Sequence, residues 1–231
     1  MVSTSERLPQ GEAKATAVRA MFDAIAPRYD LVNRVMTFGL DRSWRRATVA
    51  ELGLPAGSRV LDLATGTGDL CAEAQRRGLT PIGIDLALGM LQASHASAPR
   101  AQGDITALPV PDGVADGALC GFALRNVVSL DALFAELART LRPGGRIGLL
   151  EVDRPANPVL RFGHHLYFDR IVPVIGGLLS DRDAYRYLPA STAYLPPRLE
   201  LLERLGAAGF ERIEHRAFLL GSAQLITATR S

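Results

Sequence analysis

The sequence predicts an α/β protein built on a mostly parallel, doubly wound sheet. Three observations carry that expectation. From residue 58 onward, short apolar runs alternate with helical patterns. The first run, "LDLATGTGDL", ends in an acid followed at once by a glycine turn. The chain finishes in two strand-like runs joined through Gly221-Ser222, a hairpin signal.

Each element follows from local chemistry. "SRVLDLAT" reads as a buried strand and "GDLCAEAQRRG" as a helix closing at Gly78. "TPIGIDL" is a second strand, "ALGMLQASHAS" a second helix, and Ala101 to Gly103 a short third strand. After the turn "PVPDG" comes "VADGALCGFAL", a fourth strand with a loop behind it. "LDALFAELARTL" places Leu133, Phe134, Leu137 and Leu141 at helical spacing. "RPGG" stops that helix, and "RIGLLEV" is a fifth strand. The expected organisation is a single domain over 1–231. Residues 10–50 form an N-terminal helical flap broken at Pro27, and 58–152 a cofactor-binding core. Residues 155–197 form a lid inserted after strand five, and 198–231 a final helix and antiparallel hairpin.

Composition narrows the class. The chain has 231 residues, of which 48% are hydrophobic and 22% charged, as in ordinary globular domains. A net charge of +2 gives no reason to expect a nucleic-acid partner. Lys14 is the only lysine, which reads as codon usage. Cys71 and Cys120 sit in apolar elements, without disulfide or metal-ligand spacing. A reducing cytoplasm and no metal are therefore expected. The N-terminus carries Glu6 and Glu12 and lacks an apolar core, unlike a signal peptide. The uncharged run Ala217 to Thr229 is short against a membrane span of roughly 20 residues. Peripheral membrane contact and a homodimer stay open.

In a doubly wound sheet, ligands bind beyond the carboxyl ends of the strands, where the order reverses. Gly66 and Gly68 remove side chains where a ligand must approach the backbone. A dinucleotide fingerprint wants Gly or Ala at the sixth position, where this chain has Cys71. Asp62 and Asp69 flank the turn and repel a pyrophosphate, whereas they suit a cation. S-adenosylmethionine carries a sulfonium and an ammonium and no phosphate, so it is the expected cofactor over NAD. Asp85 ends the second strand nineteen residues after Gly66, placed to accept from ribose hydroxyls and to cap the next helix. Asp104 follows the third strand and suits an adenine amino group, with the backbone N–H of Ile105 on a ring nitrogen. Thr67 completes the set.

These residues resemble the successive motifs of class I S-adenosylmethionine-dependent methyltransferases, with their Rossmann-like fold. More specifically, the chain is similar to the ubiquinone/menaquinone biosynthesis C-methyltransferase family. "MFDAIAPRYDLVNRVMTFGLDRSWRR", "LRNV" and "DRDAYRYLP" carry that resemblance. It implies a seven-stranded sheet with a reversed last hairpin, and a cofactor at Thr67, Asp85 and the Asp104-Ile105 pair. It also implies a demethylated prenyl-quinol as acceptor, demethylmenaquinol first. Some positions depart from the family pattern. Thr65 stands for a Gly, Gly121 for a Ser, and "LEVDRP" for "LEFSKP"; the ending "LLGSAQLITATRS" also differs. These changes cluster on the acceptor side and keep open a soluble aromatic acceptor of specialised metabolism.

C-methylation of a quinol needs a route for the hydroxyl proton and a stabilised phenolate. Arg125, just past strand four, is the candidate, its guanidinium binding the phenolate or orienting a water. The resemblance adds Asn126 and Tyr29. Tyr29 and Asp30 follow the Pro27 break on the flap, and Tyr185 and Tyr187 lie in the lid. His164 and His165 are weaker candidates for a base. The apolar set Phe162, Leu166, Tyr167, Ile171, Val174, Ile175 and Leu178 fits either a groove for a prenyl tail or ordinary core.

Overall fold

The computed structural model describes residues 9–179, 187 and 190–231. Its strands are β1 (Arg59–Leu63), β2 (Thr80–Asp85), β3 (Arg100–Gln102), β4 (Ala115–Gly121), β5 (Leu141–Val152), β6 (Phe210–Phe218) and β7 (Ala223–Arg230). They form one sheet in the order β3-β2-β1-β4-β5-β7-β6. The first five strands pair in parallel, and β7 runs antiparallel to both β5 and β6. The order reverses between β1 and β4, so the crevice opens beyond their carboxyl ends. Central β4 is buried along six of its seven residues, the continuous apolar run expected of a strand covered on both faces.

The helices are α1 (Gly11–Ile25), α2 (Tyr29–Met36), α3 (Asp41–Glu51), α4 (Asp69–Arg76), α5 (Leu88–Gln92), α6 (Leu130–Thr140), α7 (Pro158–Leu166), α8 (Val172–Leu179) and α9 (Arg198–Ala207). One face of the sheet carries α3 and α4, with Val49, Leu52, Leu70 and Leu119 in the core between. The other carries α6 and α9, whose Leu133, Phe134, Leu137, Leu201 and Leu205 are fully or almost fully buried. Ser129 caps α6 by accepting from the Ala132 N–H at 3.2 Å. Asn157 caps α7 by accepting from Val159 and Leu160, with Pro158 in the first turn.

The seven-stranded, mostly parallel sheet, its reversed last hairpin and the helices before β1 and after β5 match the sequence reading; the details differ. β3 sits one residue earlier than expected. The flap breaks twice, at the Ala26–Arg28 turn and again at Thr37 to Leu40, where Phe38 takes φ +53° and Gly39 φ +74°. α5 stops at Gln92 because the following segment is drawn to the glycine turn, with the His95 N–H donating to the Thr67 carbonyl at 3.1 Å. "RPGG" does not separate helix from strand. β5 starts at Leu141, directly after α6, and absorbs these residues where its register with β4 shifts between Ala115 and Gly117. In the lid, α7 runs through a π-helical turn, Tyr167–Ile171, into α8.

Candidate active site

The glycine turn is folded by Asp62 from below. Asp62 is fully buried, and its Oδ2 accepts from Thr65 Oγ1 at 2.6 Å and from the Cys71 N–H at 3.0 Å. Thr65, where the resembled family has Gly, is accommodated because β2 has Gly83 opposite. A Cβ on Gly83 would lie 2.9 Å from the Thr65 side chain. Gly66 and Gly68 take φ +58° and +88°, a region costly for other residues. Space above Gly66 is open, whereas a Cβ on Gly68 would meet Ala96 at 2.7 Å. The Asp62 Oδ1 is buried with no hydrogen-bond partner, an orphaned negative group under the turn.

Above the turn lies a cavity of about 120 Å³. Gly66, Asp85, Asp104 and Ile105 line it, four of the seven cofactor residues expected from sequence. The other three, Asp62, Thr67 and Gly68, lie behind the wall and hold the turn. Thr67 Oγ1 donates to Asp30 of α2 at 2.6 Å, so the flap is tied onto the glycine turn. His95 reaches both Asp30 (3.5 Å) and Asp69 (3.3 Å). The Asp85 carboxylate accepts from the Gly66 N–H and the Ala87 N–H, both at 2.8 Å; Ala87 precedes α5, so the expected helix cap is not made by Asp85, and it is Asp23 of α1 that accepts from the Gly89 N–H in the first turn, at 2.7 Å. α1 roofs the cavity with Ala15, Val18 and Phe22. Lys14, read from sequence as mere codon usage, is a buried tie. Its Nζ donates to the Val127 carbonyl at 2.7 Å and lies 3.7 Å from the Tyr194 ring centre. At the β4 end, a Cβ on Gly121 would lie 2.9 Å from Leu70, so a side chain there needs Leu70 to move. A small open turn, carboxylates on the wall and an orphaned acid below fit an adenosyl sulfonium cofactor.

A second cavity, of about 420 Å³, has a mostly apolar surface. Trp44, Phe122, Val159, Leu160, Tyr167 and Phe168 are among its walls. Tyr29 and Phe122 line both cavities and form the partition between them. Phe122 holds φ +59°, rare for an aromatic residue. Its N–H donates to the Leu150 carbonyl at 2.6 Å. Burial pushes the Tyr29 phenol above its usual range against the pull of Arg45 and Arg125, so it stays neutral and donates.

The three residues expected to be catalytic divide between the cavities. Arg125 lines the apolar cavity, Asn126 the cofactor cavity, and Tyr29 both. Arg125 is only 4% exposed and is ion-paired with Glu151, which is fully buried. It also donates to the Phe122 carbonyl (2.8 Å) and to Ser191 Oγ (3.1 Å) in the lid. Asn126 Oδ1 accepts from the Tyr187 hydroxyl at 3.3 Å. Tyr185 lies outside the described residues. Sequence reasoning missed Glu151, although an acid at the end of "RIGLLEV" was its signal. It also missed Arg45, buried beside the cavity between Asp41 (2.5 Å) and Asp69 (3.4 Å), although Asp41 and Arg45 stand at i,i+4 spacing.

The apolar set proposed for the lid is neither groove nor core for the most part. Phe162, Leu166, Ile171 and Val174 point outward, and Tyr167 alone of the set lines the cavity. Ile175 is half-buried, and Leu178 lies where no side chain is described. The part of α7 that lines the cavity is instead Val159, Leu160, Gly163 and His164.

Two predictions arise here. Burial pushes the Asp62 carboxyl up to about 6 and Asp85 in the same direction. Both are protonated more readily in the folded chain than in the unfolded one. The contribution of Asp62 to stability is therefore complete below the ordinary carboxylate range and lost as pH rises through about 6, and that of Asp85 is lost in the same direction. A bound cation draws the proton off, so affinity for S-adenosylmethionine should fall as pH drops through that value. Calorimetric titration should show this fall, blunted in Asp62→Asn; an equal fall in both proteins would separate Asp62 from the cofactor. At the partition, Phe122→Gly should be more stable than Phe122→Ala by about 1 kcal/mol, because only alanine keeps the left-handed strain. Thermal melting should place the glycine variant higher by roughly 2–4 °C. An alanine variant that melts higher would contradict the strain at Phe122.

The sequence model of the ubiE/COQ5 methyltransferase family matches residues 10–230. A protein of Syntrophotalea carbinolica named ubiquinone/menaquinone biosynthesis C-methyltransferase UbiE is 42% identical, over 92% of this chain and 94% of its own. A demethylmenaquinone methyltransferase of Roseiflexus castenholzii is 43% identical, over 96% and 97%. Among solved structures, the [4+2]-cyclase SpnF superposes with a TM-score of 0.66 at 19% identity, covering 96% of each chain. Phosphoethanolamine N-methyltransferase 2 of Haemonchus contortus, in complex with S-adenosyl-L-methionine, gives 0.60 at 16%, over 80% of this chain and 52% of its own. These structural likenesses show the fold.

Proposed function

The chain belongs to the ubiE/COQ5 methyltransferase family, and from that premise we propose that it methylates a ring carbon of a demethylated prenyl-quinol in menaquinone or ubiquinone biosynthesis. Demethylmenaquinol is the first choice of acceptor. The enzyme is an S-adenosylmethionine-dependent methyltransferase acting as a single domain. The observation that carries the reading is the meeting of two unlike cavities at Tyr29 and Phe122. One offers carboxylates and backbone to an adenosine; the other offers an apolar slot to a ring and the start of a tail.

When bound, S-adenosylmethionine supplies an electrophilic methyl on a positive sulfur. The chain's own residues do the rest. Asp85 would accept hydrogen bonds from the ribose hydroxyls, while Asp104 and the Ile105 N–H would hold the adenine edge. Asp62 supplies negative charge beneath the turn. The rings of Tyr29 and Phe122 keep water from the gap where nucleophile and methyl must align. A quinol ring carbon becomes nucleophilic once the neighbouring hydroxyl loses its proton to water. Arg125 then binds the oxyanion, held in aim by Glu151, and the neutral Tyr29 hydroxyl donates to the same oxygen. The carbon–methyl bond would form as the sulfur–methyl bond breaks, leaving the neutral thioether, and the ring proton at that carbon would then pass to water as aromaticity returns. Asn126, fixed by Tyr187, steadies the cofactor side.

A prenyl tail leaves the cavity past Val159, Leu160, Leu219 and Leu220, so the reading includes peripheral contact with a membrane. No helix among the described residues is long and apolar enough to cross one. Turnover with labelled S-adenosylmethionine tests the proposal, comparing a reduced prenyl-naphthoquinone, a benzoquinone analogue and a tail-less aromatic. Fastest turnover is expected on the prenyl-naphthoquinol; none on any quinol would overturn the reading.

A further inference from the structure

We propose that the rim of the acceptor cavity is a docking surface for anionic lipid bilayers, built from Phe38, Leu219 and Leu220 together with the outer face of α7. The proposal rests on the tailed-acceptor reading above and assigns its membrane contact to particular side chains.

Three separate elements bring large apolar side chains to one opening. Phe38 comes from the turn between α2 and α3, Val159 from α7, and Leu219 and Leu220 from the β6–β7 connection. All four line the same cavity, yet Phe38 is 78% exposed, Val159 78% and Leu220 71%. Such a cluster is unlike the scattered exposed leucines of ordinary surfaces. α7 extends it, since Val159, Phe162 and Leu166 stand three and seven residues apart on one helix face and all are exposed.

The backbone supports a built feature. Phe38, Leu219 and Leu220 hold φ +53°, +41° and +57°. That left-handed region normally goes to Gly or Asn. Here apolar side chains occupy it and are turned outward around a cavity mouth, the kind of strain found at functional positions.

Charge selects the occupant. Beside Phe162 runs a groove lined by Arg154, Arg161, His164 and His165, with no carboxylate among its described lining residues. Basic groups flanking an apolar crown complement an anionic headgroup layer above an acyl phase. A two-fold contact with a second copy would bring these like charges together and close the mouth. A bilayer leaves the mouth open toward the phase that holds a prenyl tail.

Co-sedimentation with phosphatidylcholine vesicles, with and without phosphatidylglycerol, tests this. The wild-type chain should pellet with the anionic vesicles and be released by salt. Phe162→Ser/Leu166→Ser, which changes two exposed side chains that do not line the acceptor cavity, should weaken that binding about tenfold or more. It should also keep wild-type turnover of a tail-less quinol and lose turnover of a vesicle-borne one. Phe38→Asn/Leu220→Asn, which suits the left-handed backbone and so should fold, should weaken vesicle binding likewise. Wild-type protein that stays in the supernatant of every vesicle, or variants that pellet as it does, would overturn the docking surface. So would a wild-type dimer in analytical ultracentrifugation that Phe162→Ser/Leu166→Ser converts to monomer. Turnover of the tail-less quinol in those same samples shows whether the methyl-transfer reading stands independently.

Discussion

Arg125→Ala is expected to lose two things at once, rate and stability. An oxyanion left without its donor costs about 10²–10³ in kcat. The variant also strands Glu151, which is fully buried and has Arg125 as its ion-pair partner. Breaking such a pair costs about 3–5 kcal/mol. For a chain of this length, melting should drop by roughly 10 °C. Arg125 does not line the cofactor cavity, so affinity for S-adenosylhomocysteine should stay within about threefold. The double variant Arg125→Met/Glu151→Leu separates the two losses. With both charges gone, melting should return most of the way, because a buried pair replaced by apolar groups is close to neutral. Its rate should not return. Stopped assays and thermal melts on the three proteins check this, and an Arg125→Ala enzyme turning over at the normal rate would remove Arg125 from the chemistry.

Asp85→Ala is expected to weaken cofactor binding by about 100- to 1,000-fold, since hydrogen bonds to a charged acceptor are worth about 1.5–3 kcal/mol each. The carboxylate does two jobs. It faces the cavity, and it accepts from the Gly66 and Ala87 N–H groups of the glycine turn and of the segment that precedes α5. Alanine leaves both backbone donors unmet and removes the acceptor for the ribose. Asp85→Asn keeps one oxygen and should fall between, near tenfold. Calorimetry with S-adenosylhomocysteine reads all three, and an alanine variant binding as wild type would displace the cofactor from this wall.

How much of this was legible beforehand depended on whether the signal was local. The strands at Arg59–Leu63 and Thr80–Asp85, the glycine turn and the last hairpin are written in short-range patterns, and they stand where expected. So do Gly66, Asp85, Asp104 and Ile105 on one cavity wall. The Arg125–Glu151 pair spans 26 residues, and pairing across strands has no sequence period. The turn at Phe38 was invisible because a phenylalanine gives no hint of left-handed backbone. The lid was read inside out for a related reason. α7 is apolar on more than one side, so its periodicity alone did not say which side would face the cavity.

A methyl group is expected to pass between the two cavities onto a ring carbon. Single-turnover reaction of the wild-type chain with carbon-13-methyl S-adenosylmethionine and reduced demethylated prenyl-naphthoquinone tests it directly. NMR of the extracted product should show the label as an aryl-bound methyl that survives oxidation to the quinone. Label found as a methoxy group, or left wholly on the donor, would contradict it.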